Sequence, residues 1–393
     1  MLYIQSYIVY TLLALFMCYG AYRSQCYSRH AKLWGWLPII LFTLVFGLRY
    51  GVGVDYNNYV EVYEETAYYD SFMEIWDNER YEPGFSLLLY LCHFFNAPVY
   101  ILFSIMAFLE IFLLYKTFKN EGDILIYIYA TLLFTTVGIS SFMNIIRHIV
   151  AFCFFLYSLQ YIRDNKLIKY WLCCLLALAF HKSALMLFPL YFIWIKRKGI
   201  LNQPFTELIL VLFCFVLSFV SQWQEIMHMF DNLIKFMGYE DYIDIADEMT
   251  VNSKMGVTRL FTLAINIIII LNSKRIKEYF QSDLLSIIYD LYIIGTCLEY
   301  FFMGSMMLQR IIVYFSHTQF IVMAYALCYF YKTRKQSISH LMRYAFMILF
   351  LFVVFNAFIY NCKNNTGAYV SYFQEELYLE KDNLREDMLN KIE

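Results

Sequence analysis

Arg49 opens the segment RYGVGVDYNNY, directly after an uncharged apolar run from Trp34 to Leu48. An arginine at the mouth of a membrane span, with glycines, an aspartate and aromatics just beyond, suits a site that grips an anionic, sugar-bearing ligand at the membrane surface. Arg147, Arg259 and Arg310 fall near the outer ends of later spans. Arg147 lies in SSFMNIIRHIVAF, where Ser140, Asn144, Arg147 and His148 share one helical face by i, i+3/i+4 spacing. Arg310 lies in MMLQRIIVYFSHTQF, with Tyr314 and His317 on the same face at i+4 and i+7. A lone arginine of this kind can simply snorkel to the headgroups. Arginines that anchor polar stripes fit phosphate better, because a guanidinium is always charged and grips phosphate through two parallel donors. Arg49, Arg147 and Arg310 around one cavity would hold a lipid-linked diphosphate, and no metal site is expected.

Two groups are candidates for proton transfer. His181 sits in LALAFHKSALMLFPLY, between two short apolar helices, and is either a hydrogen-bonded turn residue, a diphosphate ligand or a general base. Histidine has the unperturbed pKa nearest neutrality, which suits abstraction of a proton from a sugar hydroxyl. Asp55 either closes the GVGVDY turn or acts as base or sugar ligand. Glu82 in YEPGF precedes Pro83, a natural first helical residue, so it either caps that helix or binds sugar. Tyr56, Tyr314 and His317 complete the candidate sugar contacts.

These residues must be positioned by membrane helices. The chain has 393 residues, 61% hydrophobic and 16% charged, against about 45–50% and about 25% for soluble domains. Apolar stretches fall at 3–22, 34–48, 98–115, 123–139, 141–162, 170–180, 183–195, 205–221, 258–273, 284–303, 308–331 and 341–360. The fold class is therefore an all-α polytopic membrane protein of about 12 transmembrane helices, with a re-entrant or interfacial helix at 81–95. Six basic clusters, from Arg23/Arg29/Lys32 to Lys332/Arg334/Lys335 with Arg343, are all placed inside by this count. Both termini then lie outside. Residues 1–360 form one transmembrane domain with outer loops at 49–80 and 222–257, and 361–393 form a charged tail. Nine of the 10 cysteines lie in or beside apolar spans and Cys362 in an outer segment, so neither disulfides nor a metal site is expected. A net charge of −2 gives no overall basic field for nucleic acid. The apolar N-terminus lacks a basic leader and reads as the first span.

The order RYGVGVDYNNY, YEPGF, SSFMNIIRHIVAF, AFHKSALMLFPLY and LQRIIVYF resembles EpsG-like members of the Wzy-type polysaccharide polymerases, over about residues 35–320. The resemblance implies a bacterial inner-membrane glycosyltransferase that joins repeat units carried on undecaprenyl diphosphate at the outer face, without a cofactor. It implies functional roles for Arg49, Asp55, Arg147, His181 and Arg310, each inside a matching motif. Its partners would be membrane lipid, the lipid-linked oligosaccharide, and flippase and chain-length regulator proteins. Three other readings stay open. One is a glycosyltransferase using a monophosphate-lipid donor with Asp55 as base or metal ligand. Another is a flippase or transporter with Asp290 and Glu299 as pathway charges, although these show no charged partner in the sequence. The third is a nonenzymatic scaffold.

Overall fold

The computed structural model describes residues 2–26, 30–78, 81–134, 137–194, 201–219, 257–302, 308, 312–334, 340–363 and 367–389. Arg310, the loop 222–257 apart from its last residue, and the sequon at 364–366 lie outside the described residues. Among the described residues the chain is helical, without a strand, and an isolated antiparallel bridge joins Arg49 to Ser371. Four helices are long and apolar enough to cross a membrane: α1 (Leu2–Gln25), α6 (Val99–Phe118), α14 (Asp283–Phe301) and α17 (His340–Lys363). Several other expected spans coincide with shorter apolar helices, namely α2 (Ala31–Gly47), α7 (Ile124–Phe134), α10 (Leu167–Leu178) and α12 (Pro204–Leu217). On α1, Ile4, Ile8, Leu12 and Leu15 are exposed while Tyr10, Leu13, Ala14 and Met17 are buried. One face packs inward and the other presents a continuous apolar stripe, which is stable against lipid and costly against water.

Contacts divide the chain into two units, residues 1–160 with 171–181 and 351–393, and residues 161–170 with 182–350. In the first unit the tail is built into the fold. Ala368 and Val370 are buried with Leu2, the Tyr369 N–H donates to Ser6 Oγ (2.7 Å), and the Tyr50 N–H donates to the Val370 carbonyl (2.8 Å). From α18 (Tyr378–Leu389), Tyr378 stacks on Tyr50 with centroids 3.5 Å apart, and the fully buried Lys381 donates to the Ala368 carbonyl (2.6 Å). The start of α1, the turn at 48–53 and the tail thus share one end of the unit. At the far end of α1, Gln25 Nε2 donates to the Gly122 carbonyl (2.6 Å), joining two expected inner turns.

α3 (Tyr56–Thr66) is polar and runs alongside α5 (Pro83–Phe94): Tyr59 meets Phe85 near their starts and Tyr63 meets His93 toward their ends. At 12 residues α5 is shorter than the roughly 20 that a membrane span needs. The expected span 141–162 is interrupted. A π-helical turn (Val137–Ser141) and the three-residue α8 (Phe142–Asn144) end at Ile145, with φ −90° and ψ 52°, before α9 (Ile146–Arg163) begins. A π-turn and a broken backbone ladder re-aim the side chains that follow.

In the second unit, α11 (Leu190–Trp194), α12, α13 (Val257–Phe280), α14, α15 (Val313–Ser316) and α16 (Thr318–Lys332) enclose polar links. Asp290 accepts from Trp194 Nε1 (2.9 Å) and from the Leu201 N–H (3.2 Å), while Lys277 donates to the Leu201 carbonyl (2.7 Å). Lys277 and Asp290 attract each other, as do Arg259 and Glu299. The absence of charged partners read from the sequence is therefore corrected: the partners sit on the preceding helix, α13. Asp290 thereby holds Trp194 and Leu201, and Lys277 holds Leu201.

Candidate functional site

The first unit brings together four of the sequence motifs, and glycine contacts make this possible. Gly53 has φ +103°, and a Cβ there would stand 2.6 Å from the Met143 carbonyl oxygen. Only glycine takes that backbone conformation at little cost. The turn 49–55 is therefore seated on the break between α8 and α9, where Asn144 Oδ1 accepts from the Asp55 N–H (2.7 Å). Gly84 makes the second close approach. Its N–H donates to the Ala179 carbonyl (2.7 Å), and a Cβ would lie 2.6 Å from that oxygen. YEPGF is thereby held against the turn that carries His181.

Arg49 is placed differently from a ligand-gripping arginine. It is 1% exposed, and each of its three guanidinium nitrogens donates to a backbone carbonyl: Nε to Val52 (3.2 Å), Nη1 to Phe46 and Nη2 to Met143 (3.0 Å). Its guanidinium also lies 4.5 Å from the Phe103 ring centroid. With every guanidinium nitrogen engaged by backbone, Arg49 ties α2, the loop and α8 together. Tyr56 is likewise a packing residue, 3% exposed and stacked on Phe103 at 5.1 Å.

Arg147 follows the break at the start of α9. It pairs with Glu82, hydrogen-bonds Tyr59, and lies over the rings of Tyr81 (4.4 Å) and Phe85 (5.5 Å). The capping reading of Glu82 is replaced: at the N-cap of α5 its side chain makes no cap hydrogen bond, and the carboxylate turns to Arg147 instead. Burial pushes the Tyr59 phenol up to about 12, so it meets Arg147 as a neutral group. The Arg147 side chain keeps 20% exposure, with its Nε buried.

His181 stands just past α10, its N–H bonded to the Ala177 carbonyl (3.0 Å). Its ring stacks on His148 with centroids 4.0 Å apart and an interplanar angle of 14°. Both are buried, at 9% and 2% exposure. His148, the residue after Arg147, was visible in the sequence as part of the polar stripe but not singled out for chemistry. α9 leaves this place and α10 returns to it, so a hairpin delivers Arg147, His148 and His181 to one end of the unit. Asp55 is half-buried in the adjoining turn, close enough to Tyr59 to act on it electrostatically.

In the second unit, Tyr314 is fully buried and its hydroxyl lies 3.1 Å from Ser183 Oγ, joining α15 to the 3-10 turn Lys182–Leu187. His317 stands at the junction of α15 and α16, with Nδ1 3.3 Å from Ser316 Oγ.

The family model of the EpsG family matches residues 32–373, which covers all of the motifs above. No curated protein and no solved structure matches the chain.

Proposed function

The chain belongs to the EpsG family of membrane proteins of polysaccharide biosynthesis, and on that footing we propose that it is a polymerase joining polyprenyl-diphosphate-linked oligosaccharide repeat units at the outer face of a bacterial inner membrane. The observation that carries this reading is that the start of α9 carries Arg147 next to His148, whose ring stacks on His181, with the turn 49–55 seated on the same helix break. An always-charged fork and a proton acceptor then stand within one small region, as transfer from a diphosphate carrier requires.

In the proposed reaction the acceptor sugar hydroxyl gives its proton to His181. The oxygen forms the new bond to the anomeric carbon of the donor, and the bond from that carbon to the diphosphate oxygen breaks. Arg147 stabilises the negative charge that develops on the departing diphosphate, the type of term that usually contributes most to catalysis. Its aromatic and tyrosyl surroundings hold the guanidinium in one orientation, so little reorganisation is needed as charge develops. His148 backs the His181 ring and fixes its plane. Asp55 is the second candidate base, held next to α8 by Asn144. Arg49 supports the site by holding its turn and does not contact ligand. Arg310 and His317 keep their proposed diphosphate and sugar roles from the motif alone, while the fully buried Tyr314 packs on Ser183 instead.

The full-length protein in proteoliposomes, supplied with a polyprenyl-diphosphate oligosaccharide, tests this. A ladder of longer products on a gel, insensitive to EDTA, is expected. Transbilayer movement of the substrate with no new glycosidic bond would instead establish a transporter.

A further inference from the structure

We propose that Glu82 competes with the bound diphosphate for Arg147 and thereby sets how readily the spent lipid carrier leaves, an inference that rests on reading Arg147 as the diphosphate contact. Glu82 has extended backbone (φ −68°, ψ 149°) before Pro83, and its carboxylate is not spent on capping α5. It reaches Arg147 through a single contact, Oε2 to Nη1, and not through the two-point fork that an arginine and a carboxylate can form. The backbone that carries the carboxylate is pinned. Two residues on, the Gly84 N–H is bonded to the Ala179 carbonyl at 2.7 Å, in an approach too close for any larger residue.

A diphosphate reaching Arg147 therefore meets a guanidinium that is already partly neutralised, with a negative charge beside it. Glu82 is itself only 9% exposed, which leaves little water to screen the repulsion. Like charges about 5–6 Å apart at an effective dielectric constant of about 20–60 weaken binding by roughly fivefold to a few hundredfold. A polymerase gains from this arrangement. Each transfer leaves a diphosphate carrier in the site, and an unopposed arginine would retain that product as firmly as it stabilises the transition state. The opposite reading, in which Glu82 merely orients Arg147 for the ligand, gives the opposite sign.

The test measures binding of farnesyl diphosphate to the full-length protein in detergent, for wild type, Glu82→Gln, Glu82→Ala and Arg147→Gln, with melting curves for each. The expected result is that Arg147→Gln loses binding while both Glu82 variants bind at least fivefold more tightly than wild type. If Arg147→Gln loses binding but the Glu82 variants bind equally or more weakly, the competition is refuted and the Arg147 contact stands. If Arg147→Gln binds like wild type, the diphosphate contact and the competition fall together. Loss of the fold in both Glu82 variants also overturns the proposal, because a competing carboxylate is dispensable to the fold.

Discussion

Replacing Gly84 with alanine probes the joint on which the site depends. The added Cβ would stand 2.6 Å from the Ala179 oxygen and 3.0 Å from both the Ala179 carbonyl carbon and Cβ, where ordinary contact begins at 3.4 Å. The α5 start must therefore move away by about 0.8 Å, which takes the 2.7 Å hydrogen bond between Gly84 and Ala179 beyond useful length. The lost bond costs about 1 kcal/mol and the overpacking about 1–3 kcal/mol. Glu82 and Tyr81, which frame Arg147, shift with the helix start, while His181 stays with the turn. A misplacement approaching 1 Å can cost about 100-fold in rate, so polymer formation in proteoliposomes should fall by about that factor with the protein still folded. Gly122→Ala is the control. It has φ +65° with nothing within 4 Å of its Cβ, at the other end of the unit, so it should lower the melting temperature slightly and leave polymerisation unchanged. A Gly84→Ala protein that polymerises within threefold of wild type would refute the argument that this contact aligns the site.

Arg49→Lys should destabilise the protein by about 2–4 kcal/mol, because one ammonium cannot serve three buried carbonyls; melting curves check this, and the folded variant should still bind farnesyl diphosphate. His181→Ala should lower kcat about 100-fold or more and leave farnesyl diphosphate affinity within twofold, since a base acts in the transition state; a loss of affinity instead would reassign the ring to diphosphate binding. A cysteine at position 70 should react with an impermeant reagent from outside and one at 122 only after permeabilisation; labelling of both from one side would break the topology.

Much of the site was legible because its chemistry clusters in short motifs. RYGVGVDYNNY, YEPGF, SSFMNIIRHIVAF and AFHKSA each mark a segment that the first unit brings to one end, and the glycines at 53 and 84 mark the close approaches. The role of Arg49 was not legible, because the carbonyls of Phe46, Val52 and Met143 that engage its nitrogens come together only once the turn is formed. Glu82 looked like a cap because Pro83 follows it; its true partner lies 65 residues away. Periodicity treated 141–162 as one continuous span and so missed the break at Ile145, since β-branched and polar residues neither forbid nor require a π-turn there. The tail, charged and without apolar period, gave no sign that Ala368, Val370 and Lys381 would be buried.

The central claim is that Arg147 stabilises a departing diphosphate during glycosyl transfer. Arg147→Lys keeps the charge but removes the planar fork. The most direct measurement is single-turnover transfer in proteoliposomes by wild type and Arg147→Lys, with a polyprenyl-diphosphate oligosaccharide as donor and acceptor. The account predicts a product ladder from wild type and a loss of about 100-fold or more in the transfer step of the lysine variant, at unchanged expression and melting temperature. Equal ladders from the two proteins would contradict it.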